Sequence, residues 1–164
     1  MKYFAYGSNM SLARLRARIP GAIRLGLCLL EGHDLRFHMQ SDDGSGKCDA
    51  YRTASSNDIV MGALFEITAC EKQALDVIEG LGLGYDQRVV SVRSAEGVMF
   101  EAITYSAIRI ESSLKPYSWY LNHVVVGARE IQVPLSYLKR IQAIESIEDT
   151  DRRREIVQRA VHSG

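Results

Sequence analysis

Two short stretches of this 164-residue chain carry residue types that could do chemistry. The first is Tyr3-Phe4-Ala5-Tyr6-Gly7-Ser8-Asn9-Met10. Residues 3 to 6 read as a short buried strand, Gly7 offers the positive φ that other residues resist, and Ser11 can cap a helix carrying Leu12, Leu15 and Ile19 at helical spacing. A strand, a glycine turn and a helix start aim backbone N–H groups at one point, where an anionic or carbonyl oxygen could sit. A plain strand-to-helix turn accounts for the same local pattern. The second stretch is Leu75-Asp76-Val77-Ile78-Glu79-Gly80, followed by Gly82, Gly84 and Tyr85. Here Ala74, Leu75 and Ile78 form the inward face of a helix, and Glu79 stands beside that face in the last turn. The helix dipole disfavours a carboxylate at this end, and proton transfer is the chemistry such a group would offer. The plainer alternative is an exposed glutamate fraying into a glycine-rich loop. The three glycines have neither the spacing nor the element order of a dinucleotide fingerprint.

Other chemistries find less support. Ser8 lies in no Gly-x-Ser-x-Gly elbow and has no histidine placed as its base, so a serine nucleophile is not expected. Cys28, Cys48 and Cys70 form no Cys-x-x-Cys pair and His33, His38, His123 and His162 are scattered. Neither a metal nor another cofactor is therefore expected. Twenty basic and twenty acidic residues cancel, which removes the electrostatic reason for nucleic acid or anionic lipid as a partner. A small neutral or zwitterionic molecule fits better. No apolar run approaches the roughly 18 residues of a membrane span, and no basic-then-apolar leader opens the sequence. With unpaired cysteines, the expectation is a reduced, cytoplasmic protein.

The elements that must position these residues form one α+β domain. Strands are expected at Ala22–Leu30, His33–Gln40 (Leu35, Phe37 and Met39 on one face), Cys48–Thr53, Ile59–Ile67, Tyr85–Val92 and Val98–Ala107. Thr68-Ala-Cys-Glu71 is a capping box that opens a helix running to about Gly80. Pro116 opens a helix that ends near Gly127, and Pro134 opens another through about Ile147. Strands follow strands more often than they alternate with helices, which argues against a doubly wound parallel sheet. A twisted mixed sheet of about six or seven strands, closing into a partial barrel with helices packed outside, is expected. Residues 148–164 form a charge-dense tail, expected as a solvated terminal helix without a chemical role and dispensable for activity.

The opening string resembles the first motif of the γ-glutamylcyclotransferase (AIG2-like) family. Leu-Asp-x-x-Glu79-Gly followed by Tyr85 resembles its second, Ala102-Ile-Thr-Tyr105 the strand with an inward tyrosine, and Pro116-Tyr-Ser-Trp-Tyr120, Gly127-Ala-Arg-Glu130 and Leu135-Ser-Tyr137 its closing series. The matches run in family order from residue 2 to about 145, so residues 1–147 are assigned to the family's domain. Tyr117 departs from the family's serine after the proline, which bears on the leaving-group side of the pocket. The resemblance implies a cofactor-free enzyme that cyclises the γ-glutamyl group of an amide or peptide to 5-oxoproline, a step of glutathione metabolism, and frees the amine. Glu79 would be the general acid/base, Tyr3, Phe4, Ala5, Tyr6, Gly7, Ser8 and Asn9 the substrate-contacting segment, and Tyr85, Tyr105 and Tyr120 hydroxyl contacts. Two alternatives stay open: a non-catalytic binding member of the same fold, and a cyclotransferase for a specialised γ-glutamylated metabolite. Whether the molecule is a monomer or a homodimer also stays open.

Overall fold

Apolar alternation and capping residues build the observed elements. The computed structural model describes residues 1–163. Its strands are β1 (Lys2–Ala5), β2 (Ile23–Glu31), β3 (His33–Gln40), β4 (Gly46–Arg52), β5 (Ile59–Glu66), β6 (Tyr85–Ser94) and β7 (Met99–Ala107). Its helices are α1 (Leu12–Arg18), α2 (Ala69–Glu79), α3 (Ser118–Glu130), α4 (Leu135–Gln142) and α5 (Arg152–Ala160), with a 3₁₀ turn at Ser8–Met10. Five strands close a barrel in the order β1-β5-β2-β6-β7, shut by the parallel contact of Tyr3 with Ile103. β3 and β4 form a separate two-stranded ribbon. The expected partial barrel of six or seven strands is thus a five-stranded barrel with a ribbon beside it. His38 and Asp49, both buried, pair across the ribbon at 2.9 Å, and Asp49 also accepts the Ala107 N–H at 2.8 Å. That carboxylate fastens the ribbon to β7 without extending the barrel.

The barrel interior is apolar: Phe4, Val60, Leu64, Phe65 and Val92 are fully buried. Leu35, Phe37 and Met39 of β3 are buried as their alternation requires. α1 starts at Ser11, whose hydroxyl accepts the Arg14 N–H, and Glu130 of α3 accepts the Leu12 N–H at 3.0 Å. The predicted capping box is present: Thr68 and Glu71 satisfy each other's backbone N–H groups, and Gly80 ends α2 in the left-handed region. The inward face of α2 differs from the one expected. Leu75 is buried, but Ala74 is exposed and Ile78 is 43% exposed. The helix is rotated so that Lys72, Asp76 and Glu79, at i, i+4 and i+7, point to one end of the barrel, where they find polar partners.

Two helix ends also shift. α3 begins after Pro116, with extended Tyr117 as its cap, and continues through Gly127 to Glu130. Gly127 does not stop the helix. A Cβ there would come within 2.5 Å of both Met10 Cβ and the Ser11 nitrogen, so the glycine lets α3 press against the 3₁₀ turn. α4 ends at Gln142, five residues before the expected Ile147, and Ile147 instead pairs with Tyr117. The charge-dense tail forms α5 and does not stand free in solvent. Asp149 is buried, binding Trp119 Nε1 at 2.8 Å and Arg154 through two bonds of 2.6 Å; Glu155 is buried between Arg152 and Arg159.

Candidate active site

The first turn of the chain shows how the site is built. β1 is held on both sides, by β5 and β7, so its exit at Tyr6-Gly7 is fixed. The expected positive φ at Gly7 is absent; its φ is −110°. Glycine is required there for space, since a Cβ would lie 2.9 Å from Cys48 Cβ. The Ser8–Met10 turn follows, closed by the Met10 N–H on the Gly7 carbonyl at 3.0 Å. Among the described residues, no hydrogen bond uses the N–H of Gly7, Ser8 or Asn9. These three residues line a narrow pocket of about 30 Å³, room for a water-sized group.

That pocket brings together Tyr3, Tyr6, Gly7, Ser8, Asn9, Glu79, Tyr85, Tyr105 and Tyr120 of the residues singled out from the sequence. Phe4 and Ala5 are not in its lining. They are buried in β1, where the Phe4 carbonyl accepts the Thr104 hydroxyl at 2.8 Å, and they support the segment from behind. Glu79 Oε1 accepts two bonds of 2.9 Å, from Asn9 Nδ2 and from Arg18 Nη1, and Asn9 Nδ2 also reaches the Tyr3 hydroxyl at 3.0 Å. Other tyrosine protons are committed to the protein: Tyr85 donates to the Cys48 carbonyl at 2.6 Å, Tyr105 to Asp76 Oδ1 at 2.8 Å, and Tyr6 to the Tyr105 carbonyl. Tyr3 accepts from Asn9, which leaves its proton for a guest, whereas Tyr120 accepts from the Cys48 N–H at 3.0 Å and gives its own proton to the Cys48 side chain. Burial raises the phenol pKa values of Tyr3, Tyr6, Tyr85, Tyr105 and Tyr120, so all are neutral donors at ordinary pH.

Sequence reasoning missed several neighbours. Cys48 lines the pocket, with burial pushing its thiol up to about 12, so it is not a thiolate nucleophile. Arg14 and Arg18, at i and i+4 of α1, had a signal: they share a stripe beside the Leu12, Leu15 and Ile19 face. Asp76 and Lys47 reach the site only through the fold. Among the described residues, no group of three or more His, Cys, Asp or Glu is gathered as a metal cage would need.

The narrow pocket shares Ser8, Glu79, Tyr85 and Tyr120 with a wider cleft of about 480 Å³. The lining of the cleft includes apolar Val77, Ile78 and Leu83 together with Arg14, Lys47, Trp119 and, from the tail, Arg154 and Gln158. Lys47 lies 4.9 Å from the Trp119 ring and 4.8 Å from the Tyr120 ring, and bonds Asp43 at 2.6 Å. Arg14 is only 7% exposed and gives Nη1 to Gln158 at 2.6 Å, yet its Nε has no partner. Burial and the nearby Arg18 lower its pKa to about 10, which still leaves it charged at neutral pH. The tail expected to be dispensable therefore supplies part of the cleft.

The AIG2-like family profile matches residues 59–141. The γ-glutamylcyclotransferase of Bos taurus is 30% identical over 147 residues, covering 87% of this chain and 78% of that protein. That of Homo sapiens is 28% identical over 170 residues, covering 99% and 88%. A solved γ-glutamyl cyclotransferase structure superposes with a TM-score of 0.88 at 27% identity, over 99% of this chain and 98% of that one. The barrel with its ribbon and outer helices is thus the γ-glutamylcyclotransferase fold. The chain belongs to the AIG2-like, γ-glutamylcyclotransferase family. Among the described residues no helix is long and apolar enough to cross a membrane.

Proposed function

We propose that this protein converts a γ-glutamyl amide to 5-oxoproline and the free amine, with Glu79 as the acid/base. The observation that carries this reading is the position of Glu79: it borders both the narrow pocket, beside the unused N–H groups of Gly7, Ser8 and Asn9, and the wider cleft.

The substrate carries its own nucleophile. Its α-amine reaches the γ-carbonyl carbon through a five-membered ring, and holding the chain folded makes the attack intramolecular, a large gain in effective concentration. Glu79 takes a proton from the α-ammonium, the amine attacks, and the carbonyl oxygen becomes an oxyanion stabilised by fixed donors. The C–N bond then breaks as the departing nitrogen receives the proton held on Glu79, and the ring nitrogen gives up its second proton through Glu79 to the released amine, which leaves as an ammonium. The products are the lactam and that ammonium, with no water consumed. The narrow pocket alone takes too little to hold a glutamyl head, so the substrate occupies the cleft as well, with its leaving amine toward Arg14, Lys47 and Trp119. The unpaired Arg14 Nε favours leaving amines that bear a carboxylate. A cytoplasmic setting with a freely diffusing small substrate is part of the same proposal.

The test is mass-spectrometric detection of 5-oxoproline from a panel of γ-glutamyl amino acids, peptides and amines. Release of 5-oxoproline from any member, above the spontaneous rate, supports turnover. Binding of γ-glutamyl compounds without release across the panel would leave a binding protein in place of an enzyme.

A further inference from the structure

The hydrogen bonds around Glu79 are one-sided. Oε1 takes both bonds of 2.9 Å, from Asn9 Nδ2 and Arg18 Nη1, and Arg18 Nη1 is also 2.9 Å from Asn9 Oδ1. One guanidinium nitrogen, one carboxamide and one carboxylate oxygen thus close a ring. Among the described residues no hydrogen bond reaches Oε2, although the Glu79 side chain is only 16% exposed. Glu79 is also the last residue of α2, followed by a glycine-rich loop, so its own helix gives it little support.

We propose that Arg18 is a positioning residue for the proton transfer: with Asn9 it anchors Oε1 and reserves Oε2 as the oxygen that exchanges protons with the substrate. The inference rests on the cyclotransferase reading above. Its physical content is twofold. A carboxylate pinned by two donors on one oxygen has a fixed plane, so the other oxygen keeps a constant direction through both proton transfers. The same guanidinium nitrogen, 2.9 Å from both Glu79 Oε1 and Asn9 Oδ1, also ties the carboxylate to the Ser8–Met10 turn that carries the unused N–H groups. The other groups facing Glu79 are Arg14 from α1 and the neutral phenols Tyr3, Tyr85, Tyr105 and Tyr120 from β1, β6, β7 and α3. Among the described residues, Arg18 is the one charged side chain that bonds to it.

The test uses the full chain as wild type, Arg18→Gln and Arg18→Lys. Kinetics are measured on the panel member that gives most 5-oxoproline, and a crystal structure of Arg18→Gln is determined in parallel. Arg18→Gln should lower kcat by about 10–100-fold, the range expected for a misplaced catalytic group, with KM within about threefold of wild type. Arg18→Lys, which can still donate to Oε1, should recover part of kcat. Wild-type kcat in Arg18→Gln, or a change in KM alone, would overturn the proposal. If no panel member is turned over, the cyclotransferase reading fails by itself. The crystal structure then decides: a Glu79 side chain in its wild-type orientation in Arg18→Gln overturns the role of Arg18, and a displaced one supports it. Should Arg18→Gln fail to fold, the comparison is made on Arg18→Lys, where a lowered kcat with KM nearly unchanged supports the role and wild-type kcat overturns it.

Discussion

Replacing Glu79 by Gln isolates its proton chemistry from its structural part. The carboxamide has the same size and keeps a carbonyl oxygen able to accept from Asn9 and Arg18, as Oε1 does at 2.9 Å. What is lost is the charge and the basic oxygen. The ion pair with Arg18 is partly exposed, 23% and 16% on its two side chains, so its loss should cost at most about 1 kcal/mol of stability. The catalytic loss should be far larger. General acid–base groups contribute about 10²–10⁴-fold, or about 3–5 kcal/mol of barrier, and a residue serving both transfers belongs at the upper end. Initial rates of 5-oxoproline release should be compared with wild type and with Glu71→Gln, after matching folded fractions by circular dichroism. Glu71 closes the capping box at the other end of α2, accepting the Thr68 N–H at 2.8 Å; its loss should cost stability of about 1 kcal/mol and leave turnover nearly intact. Retention of more than about a tenth of wild-type turnover by Glu79→Gln, well above what loss of a base permits, would refute the assignment.

Gly7→Ala places a Cβ 2.9 Å from Cys48 Cβ and should cost about 1–3 kcal/mol, the usual range for overpacking; an unchanged urea midpoint would show that the contact relaxes freely. Arg14→Met should lower kcat/KM for γ-glutamyl amino acids more than for the corresponding γ-glutamyl amines, and equal losses on both would show that its unpaired Nε does not read the leaving group. A chain ending at Ile147 loses the Asp149 bonds to Trp119 and the Gln158 bond to Arg14, so it should be less stable and less selective among leaving amines; wild-type stability and selectivity would mean that α5 is only a cover. Burial and Arg14 hold His123 down at about 3, against roughly 6.5 in an unfolded chain. The unfolded state therefore binds more protons between those values, and stability should fall as pH drops below about 6.5. Urea midpoints from pH 7.5 to 4.5 should decline more steeply for wild type than for His123→Gln, and parallel slopes would contradict this.

What could be read from the sequence was local. The strand into Gly7, the Ser11 cap and the Thr68–Glu71 capping box are short-range patterns with a single physical solution, and each is present. Alternation marked the strands but could not say which would join the barrel, because that depends on Asp49 reaching Ala107 across the fold. Glycine was the least legible residue. Gly7 and Gly127 serve close approach, against Cys48 and against Met10 with Ser11, and nothing in a linear sequence separates that use from a turn or a helix stop. The rotation of α2 was hidden for a related reason. Its apolar residues suggested a face through Ala74 and Ile78, but the polar partners Tyr105 and Asn9, distant in sequence, draw Asp76 and Glu79 inward.

The ribbon outside the barrel divides the labour of the molecule between two pieces of chain. The acid/base side depends on β1, α1 and the end of α2, all fixed against closed strands. The residues Met39 to Asp43 and Lys47, which rim the cleft, sit in and around a hairpin loop whose two stems are bonded to the chain after β7, the Gln40 N–H to the Arg109 carbonyl and the Gly46 N–H to the Lys115 carbonyl. The tip between those stems can change composition while the proton machinery keeps its geometry. New amines could thus be explored through this loop one substitution at a time, without first passing through an inactive protein.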